Sequence, residues 1–386
     1  MPLEELLQRL VKGKPGNKYF LTAYLDLRPD ASGKKTYSVF LKSRLSELAA
    51  RFPPHSPDHS HFAKDARQIQ KFLEEKLDPS WKGLAIFACA PEELFLAVPM
   101  PQAPANKLEA SPCPFLFPLL RHADLYLTYG LVAADSRQAR LFLVRQSRVE
   151  KQLTLSWEDS HSTRFGRMGL STQRFQRHQK EHLKQRAKEI AENMEKWISL
   201  ERAEYLFSAA EEELARELNS RWSAAVKKKL VGLTGADPRD PEYKILSAAA
   251  TLLQTLGREK AEILAQKILE EAAPLGRATA GSEPTMNALL NHQAERVILD
   301  ARFQASGWIC GRCASLGTGG TPSSCPLCAG EIRPAELAEE IVCRAASQGV
   351  PLHFTQNFAP LLKAGGIAAM LKYKTPVSAG RARNIP

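Results

Sequence analysis

The sequence predicts an α/β protein with a small zinc ribbon inserted near its C-terminal end, and three observations carry that reading. Short apolar runs alternate with amphipathic stretches along most of the chain, the pattern of strands and helices sharing layers. Two Cys-x-x-Cys pairs, Cys310 with Cys313 and Cys325 with Cys328, stand eleven residues apart in a segment rich in Gly, Ser and Thr. A length of 386 residues with 44% apolar content suits a globular protein of two or three domains. The division expected is 1–124, 125–275 and 276–386.

The first domain opens with a helix and the apolar run Tyr19–Leu27, a strand that ends in the loop Arg28-Pro29-Asp30-Ala31-Ser32-Gly33. Helical periodicity follows over 36–52 and 62–77. The Pro- and His-rich stretch 53–61 between them reads as a solvated connector, and His55, His59 and His61 in it as surface residues rather than metal ligands. Residues 83–90 and 93–98 read as two buried strands. Six prolines between Pro99 and Pro118 mark that stretch as a connector without regular structure.

The second domain begins with two strands, 127–135 and 138–144, joined by a turn at Asp135-Ser136-Arg137. After a polar loop, Leu183, Ala187, Ile190, Met194 and Trp197 recur at spacings of four and three, one apolar face of a long helix. Short strands at 203–208 and 229–233 then alternate with helices at 210–225 and 241–272. The third domain follows with helices at 285–292, 334–348 and 356–363 and strands at 295–303, 352–354 and 366–373. Its tail, 374–386, reads as a flexible basic end.

The two cysteine pairs, within 308–332, have the ligand spacing of a structural zinc site. A tight turn inside each pair brings its two thiolates onto one tetrahedral ion. Four thiolates leave no open coordination position, so the ion braces its lobe and performs no chemistry. Two disulfides or four unrelated thiols are the alternatives. Cys89, Cys113 and Cys343 lie in apolar surroundings and read as buried free thiols, cysteine usage that fits a reducing cytosol.

The net charge of +11 favours polyanionic partners. The start MPLEELLQRLVKGK has no apolar signal core, and no apolar run approaches a membrane span; a cytoplasmic protein without a membrane partner is expected. The charge is unevenly placed. Residues 161–188 carry eight Lys and Arg, three His and one acid, Glu181. Arg164, Arg167, Arg174 and Arg177 cluster around Gly166 and Gly169, with Phe165 and Phe175 between them. Guanidinium forks suit phosphates, aromatic faces suit bases, and glycine permits close backbone approach, so Arg164, Arg167, Gly169, Arg174, Phe175 and Arg177 are candidate RNA contacts. The bland alternative is a solvated helix start.

Three places give the chain a family resemblance. Tyr24-Leu25-Asp26-Leu27-Arg28-Pro29 and Gly83-Leu84-Ala85-Ile86-Phe87 in the first domain, Asp135-Ser136-Arg137-Gln138-Ala139-Arg140-Leu141-Phe142 with Gln173-Arg174-Phe175-Gln176-Arg177 in the second, and Gly365–Tyr373 in the third carry it. Together they resemble the superfamily of archaeal and eukaryotic class-I peptide-release factors and Pelota, and more closely its bacterial branch. The resemblance implies a third domain of ribosomal-protein-type RNA-binding fold, an α/β sandwich with the zinc ribbon inserted. It implies a tRNA-shaped factor that binds stalled or idle ribosomes at the A site, for rescue or hibernation. Its partners would be the ribosome through rRNA and peptidyl-tRNA, and a translational GTPase.

One departure bears on mechanism. Release factors end their middle-domain loop in Gly-Gly-Gln, whose Gln helps place the attacking water; here Met168-Gly169-Leu170 stands at that point. Gly169 is retained and the Gln is not. Gln173 lies nearby and is the one catalytic candidate, against the reading that it is a polar surface residue. The alternatives to a binding factor are a peptidyl-tRNA hydrolase or nuclease acting through 161–178, and a zinc-stabilised RNA-binding protein that never meets the ribosome.

Overall fold

The computed structural model describes residues 3–11, 19–157, 172–272, 276–313 and 315–373. The chain is mixed α/β with several sheets and divides into two compact units, Met1–Ala123 with Arg258–Pro386, and Asp124–Gly257. The tail 374–386 lies outside the described residues.

The N-terminal part of the first unit contains α1 (Leu3–Val11), β1 (Phe20–Asp26), α2 (Thr36–Ala49), α3 (Pro57–Glu75), β2 (Gly83–Cys89), β3 (Leu94–Met100), β4 (Lys107–Ser111) and α4 (Phe117–Leu120). Its antiparallel sheet has the order β3-β2-β1-β4. Leu21, Ala23 and Leu25 of β1 pack with Tyr37, Leu41 and Leu48 of α2 and Phe62 and Ile69 of α3. On the opposite face Tyr24 meets Phe87 and Phe115 edge-on, and its hydroxyl donates to the Phe115 carbonyl at 2.6 Å. Burial of both faces is why β1 reads as one continuous apolar run.

Two connectors in this part prove to be structured. Helix α3 starts at Pro57, so His59 and His61 are helical; the Ser56 hydroxyl accepts from the His59 amide at 3.1 Å and Pro57 takes the first helical position. Within 99–118, Lys107–Ser111 forms edge strand β4, paired with β1 in proline-free register. The prolines at 104 and 112 lie outside the hydrogen-bonded span, where no ladder donor is lost.

The second unit contains β5 (Thr128–Ala134), β6 (Gln138–Arg145), β7 (Arg148–Ser156), α5 (Thr172–Leu200), β8 (Tyr205–Ala210), α6 (Glu212–Arg221), α7 (Ala224–Lys227), β9 (Leu230–Gly232) and the first half of α8 (Glu242–Glu271). The sheet order is β7-β6-β5-β8-β9, with β5, β8 and β9 parallel and β6 and β7 antiparallel to their neighbours. Alternation along β5 assigns its two faces. Val132 and Ala134 join Ala187, Ile190, Met194 and Ile198 of α5, whereas Leu131 and Ala133 join Ile245, Ala249 and Leu253 of α8. The spacing of four and three seen in the sequence is therefore the buried stripe of α5. Gly130 sits under that stripe, where a Cβ would lie 2.5 Å from the Met194 methyl group and 2.7 Å from Ile198 Cδ1.

The remainder of the first unit adds β10 (Ala278–Ala280), α9 (Ser282–Leu290), β11 (Ala294–Asp300), β12 (Ser306–Cys310), β13 (Leu316–Thr318), β14 (Ile332–Glu336), α10 (Leu337–Ser347), β15 (Leu352–Thr355), α11 (Ala359–Lys363) and β16 (Ile367–Leu371). One sheet has the order β10-β16-β11-β15; a second, three-stranded sheet has the order β13-β12-β14. Ala265 and Ile268 of α8 pack on Ile298, Leu361 and Ala368 of the first of these sheets and its helix α11. Asp300 is fully buried and its carboxylate accepts from the Thr355 hydroxyl and the Phe358 amide, each at 3.1 Å.

The reading of Cys113 and Cys343 as free thiols is corrected. They form a disulfide across 230 residues, with Cα atoms 6.3 Å apart, because the segment before α4 lies on α10. Cys89 is buried on β2 and forms no disulfide. Among the described residues no helix is long and apolar enough to cross a membrane.

Candidate functional site

The metal-ligand type cysteines converge. Strand β12 delivers Cys310, and the turn after it is held by the Cys310 amide donating to the Ser315 carbonyl and the Gly311 amide to the Glu331 carbonyl, both at 2.9 Å. The second turn closes through the Cys325 amide on the Gly330 carbonyl and the Ala329 amide on the Cys325 carbonyl, again at 2.9 Å. All four sulfurs lie within 4.8 Å of one another, with Cys310 to Cys328 at 3.4 Å and Cys313 to Cys325 at 3.6 Å. Four thiolates about 2.3 Å from one ion stand roughly 3.8 Å apart at the corners of a tetrahedron, so the spacing fits one metal ion.

The surroundings of Cys313 and Cys325 favour thiolates, whereas at Cys328 the Gly330 amide is outweighed by the crowding of neighbouring sulfurs, which pushes that thiol up to about 12. The amides of Arg312 and Cys313 point at the Cys310 sulfur at 3.4 and 3.5 Å. The buried Ser315 hydroxyl lies 3.0 Å from the Cys313 sulfur and 3.3 Å from that of Cys325, and through this hydrogen bond Cys325 is held at about 6 rather than 9.0. Gly330 leaves space for the sulfurs: a Cβ there would sit 3.2 Å from both the Cys310 and the Cys328 sulfur and 2.8 Å from the Arg312 Cβ. Gly317 does the same for Trp308, whose indole atoms would lie 2.3 Å from an added Cβ. Trp308, Cys310 and Cys325, with Cys328 and Ile332 against them, form the small core of this lobe. Four sulfurs close the coordination shell, so this arrangement suits a structural ion.

The basic loop is only partly described. Arg164, Arg167 and Gly169 lie outside the described residues. Gln173, Arg174 and Phe175 belong to the first turn of α5, and Arg177 follows them with an exposed side chain. Further along α5, Lys180, Lys184 and Lys188 are exposed; Lys184 and Lys188 lie 3.5 and 3.8 Å from Glu181 and Glu192. Exposed pairs of this kind contribute little to stability and leave the charge in water.

The exit of β7 into the segment 158–171 is anchored on the β5–β6 turn and on α5 by Trp157, Arg186 and Glu189, residues the sequence did not single out. The Trp157 amide donates to the Arg137 carbonyl at 2.8 Å, and its indole N–H donates to Glu189 of α5 at 3.1 Å. The Arg186 guanidinium stands 5.5 Å from the Trp157 ring centre and also donates to the Ser136 carbonyl. That β5–β6 turn is fixed in turn. The Asp135 carboxylate accepts from the amides of Arg137 and Gln138, both at 2.7 Å, and Glu211 accepts from the Ser136 amide at 3.1 Å. The available signal was the alternation Arg148-Val149-Glu150-Lys151-Gln152-Leu153-Thr154-Leu155, interrupted at Lys151, which marks β7 with one face inward and so fixes where Trp157 emerges.

Residues 114–254 match the family described as bacterial archaeo-eukaryotic release factor family 10, so the resemblance seen in the sequence is shown for this stretch. No curated protein matches the chain. Among solved structures, the chain is similar to the C-terminal domain of a peptide chain release factor from Methanosarcina mazei, with 19% identity over 36% of this chain and 98% of that one and a TM-score of 0.28. It is similar to Pelota from Archaeoglobus fulgidus, with 12% identity over 75% and 80% of the two chains and a TM-score of 0.35. The translation termination-like factor Dom34 from S. cerevisiae is 13% identical over 74% of each chain, with a TM-score of 0.39.

Proposed function

We propose that the chain is a release-factor-like and Pelota-like translation factor that binds the ribosome and occupies the tRNA A site when ribosomes are stalled or idle. The observation that carries this reading is the family match over 114–254, which spans β5 to β9, the basic start of α5 and the segment 161–178. In this reading Arg164, Arg167, Arg174 and Arg177 grip phosphates, Phe175 offers a stacking face and Gly169 lets the backbone approach RNA. The contacts of Trp157 with Arg186 and Glu189 fasten the end of β7, from which this segment leaves, to α5.

The three-domain division of 1–124, 125–275 and 276–386 belongs to the same reading, with the C-terminal domain as the RNA-binding α/β sandwich. Cys310, Cys313, Cys325 and Cys328 would hold zinc there. The ion would supply folding free energy to the 308–332 lobe and no Lewis-acid step. A translational GTPase and rRNA are the expected partners of that domain.

Binding is favoured over catalysis because Leu170 occupies the place of the water-positioning Gln. An aliphatic side chain neither orients water nor stabilises an oxyanion. The deciding experiment is co-sedimentation with ribosomes across a salt series. The parent should bind with affinity that falls steeply as salt rises, since every phosphate neutralised releases counterions. Replacing Arg164, Arg167, Arg174 and Arg177 together by Ala should weaken binding and flatten that slope. Equal binding by the quadruple variant would reduce the loop to a solvated surface; no binding by the parent would remove the ribosome from the reading.

A further inference from the structure

Segment 107–120 and helix α10 meet in a contact that the proposed function leaves unused. Cys113 is bonded to Cys343 of α10. One turn earlier on α10, the Glu339 carboxylate accepts from the Leu116 amide at 2.8 Å and the Phe117 amide at 3.1 Å. Lys107 reaches Glu336 at 3.2 Å, and the Phe117 ring meets Phe354 edge-on with centres 5.5 Å apart. A strand end and a short helix from the first 123 residues are thus fastened to the last third of the chain by one covalent and several weak links. We propose that the Cys113–Cys343 pair is a thiol–disulfide exchange site that takes a dithiol as its reaction partner, and that its reduction unfastens residues 107–120 from α10.

The chemistry of the other cysteines argues for exchange over a permanent crosslink. Cys310, Cys313, Cys325 and Cys328 have the arrangement of a metal-thiolate site. That site needs surroundings that keep thiols reduced, so a disulfide in the same chain faces reductants throughout. Access points to one sulfur. Cys113 is partly exposed while Cys343 is 6% exposed, so an incoming thiolate attacks Cys113 and the Cys343 sulfur leaves as thiolate, taking up a proton. The partner's second thiol then attacks the mixed disulfide, releases Cys113 as a thiol and leaves the partner oxidised. Two electrons and two protons pass to this chain. With the oxidised partner in excess the same steps run backwards, and the docked geometry, which keeps the two sulfurs neighbours, favours reclosure.

Among the polar links that survive reduction, the ion pair is weak. The Lys107–Glu336 pair is 33% and 50% exposed at its two side chains, and exposed pairs contribute little. What remains is the Glu339 cap, the aromatic edge contact and the burial of Leu116, Leu119 and Leu120, and without the covalent link local opening becomes more frequent than in the crosslinked form.

The test uses the full chain, purified without reductant. Denaturation in an alkylating agent followed by digestion should yield one linked peptide pair containing Cys113 and Cys343, with Cys89 and the quartet alkylated. Hydrogen exchange then reads the docking at peptides covering Leu116 and Phe117, whose amides Glu339 holds. Dithiothreitol, as the probe dithiol, should speed their exchange by about tenfold or more and leave that of the β5–β9 sheet unchanged. Cys113→Ser should show the fast exchange without reductant and no further response to it, while reduction of the parent supplies the same comparison free of any substitution. Cys113 and Cys343 both recovered as alkylated thiols from unreduced protein would overturn the proposal. A linked pair whose reduction leaves exchange at Leu116 and Phe117 unchanged would overturn it as well.

Discussion

Glu339→Gln should abolish a pH dependence that the parent protein shows at the contact between α4 and α10. Burial pushes the Glu339 carboxyl from 4.5 up to about 8, and the neighbouring Glu336 carboxylate acts in the same direction. The amides of Phe117 and Leu116 oppose it, because they donate to the ionised form, as does the charge of Lys107. Burial dominates, so the folded protein holds its proton more tightly than the unfolded chain. The contribution of Glu339 to docking is therefore greatest below pH 4.5, declines as pH rises, and is lost above about 8. At about 1.36 kcal/mol per pH unit, the interval from 4.5 to about 8 sets an upper limit of about 5 kcal/mol. The residue is only half-buried, and water screening brings the expected effect to about 2 kcal/mol.

Glutamine keeps an acceptor oxygen for the Leu116 amide but has no charge to desolvate. At pH 9 the variant should hold residues 113–120 more firmly than the parent by about 2 kcal/mol, and near pH 4.5 the two should agree. The measurement is the opening free energy of peptides covering 113–120, from hydrogen exchange between pH 5 and 9 corrected for intrinsic rates. A parent whose docking strengthens as pH rises would mean that the two amides outweigh burial. Equal slopes in parent and variant would assign the dependence to another group. Either result refutes the reasoning.

Three further outcomes are expected. Chelation of the bound ion, or Cys325→Ser, should deprotect peptides across 306–336 in hydrogen exchange, because so small a core around Trp308 cannot hold the lobe by itself; metal analysis of the purified chain should find one zinc per molecule, and a metal-free chain with the lobe still protected refutes the assignment. Asp65→Asn should stabilise the protein by on the order of 1–2 kcal/mol at pH 7: burial raises Asp65 from 3.8 to about 6, it is 2% exposed, one carboxylate oxygen accepts from the Ala90 amide and the other has no partner. Parent stability should fall between pH 4 and 6, and thermal melts that show the variant equal or weaker at pH 7 count against this. Finally, turnover of peptidyl-tRNA on ribosomes should be negligible in both the parent and Gln173→Ala; robust turnover that the substitution abolishes would make the protein an enzyme.

How much of this was legible depends on how locally each feature is encoded. The strands at 20–26, 83–89 and 128–134 are apolar on both faces, and the stripe from Leu183 to Trp197 carries its own period, so composition and spacing suffice for them. The metal-type quartet was legible because each pair of sulfurs is set by one turn, and only the meeting of two turns needs the fold. Edge strand β4 was hidden because prolines surround it, although none occupies its paired positions. Helix α3 was placed late because Ser56-Pro57, a cap followed by a first-turn proline, reads equally well as a loop. The disulfide joins residues 230 apart, and no local pattern encodes a partner at that distance.

The loop's anchors fall in the same class as the disulfide. Ser136, Trp157, Arg186, Glu189 and Glu211 come from a turn, a strand end, two positions along one helix and the start of another, and each by itself is an ordinary polar or aromatic residue. What makes them a unit is the sheet order, which puts β5, β6 and β7 side by side so that the β5–β6 turn and the exit of β7 lie together at one end. A loop bearing lopsided positive charge can be read from sequence alone. Where the strand before it ends is a property of the sheet. Substitutions at Trp157 should therefore loosen the end of β7 from α5 with no change in the segment's charge, and any effect on the proposed RNA binding would come through that contact.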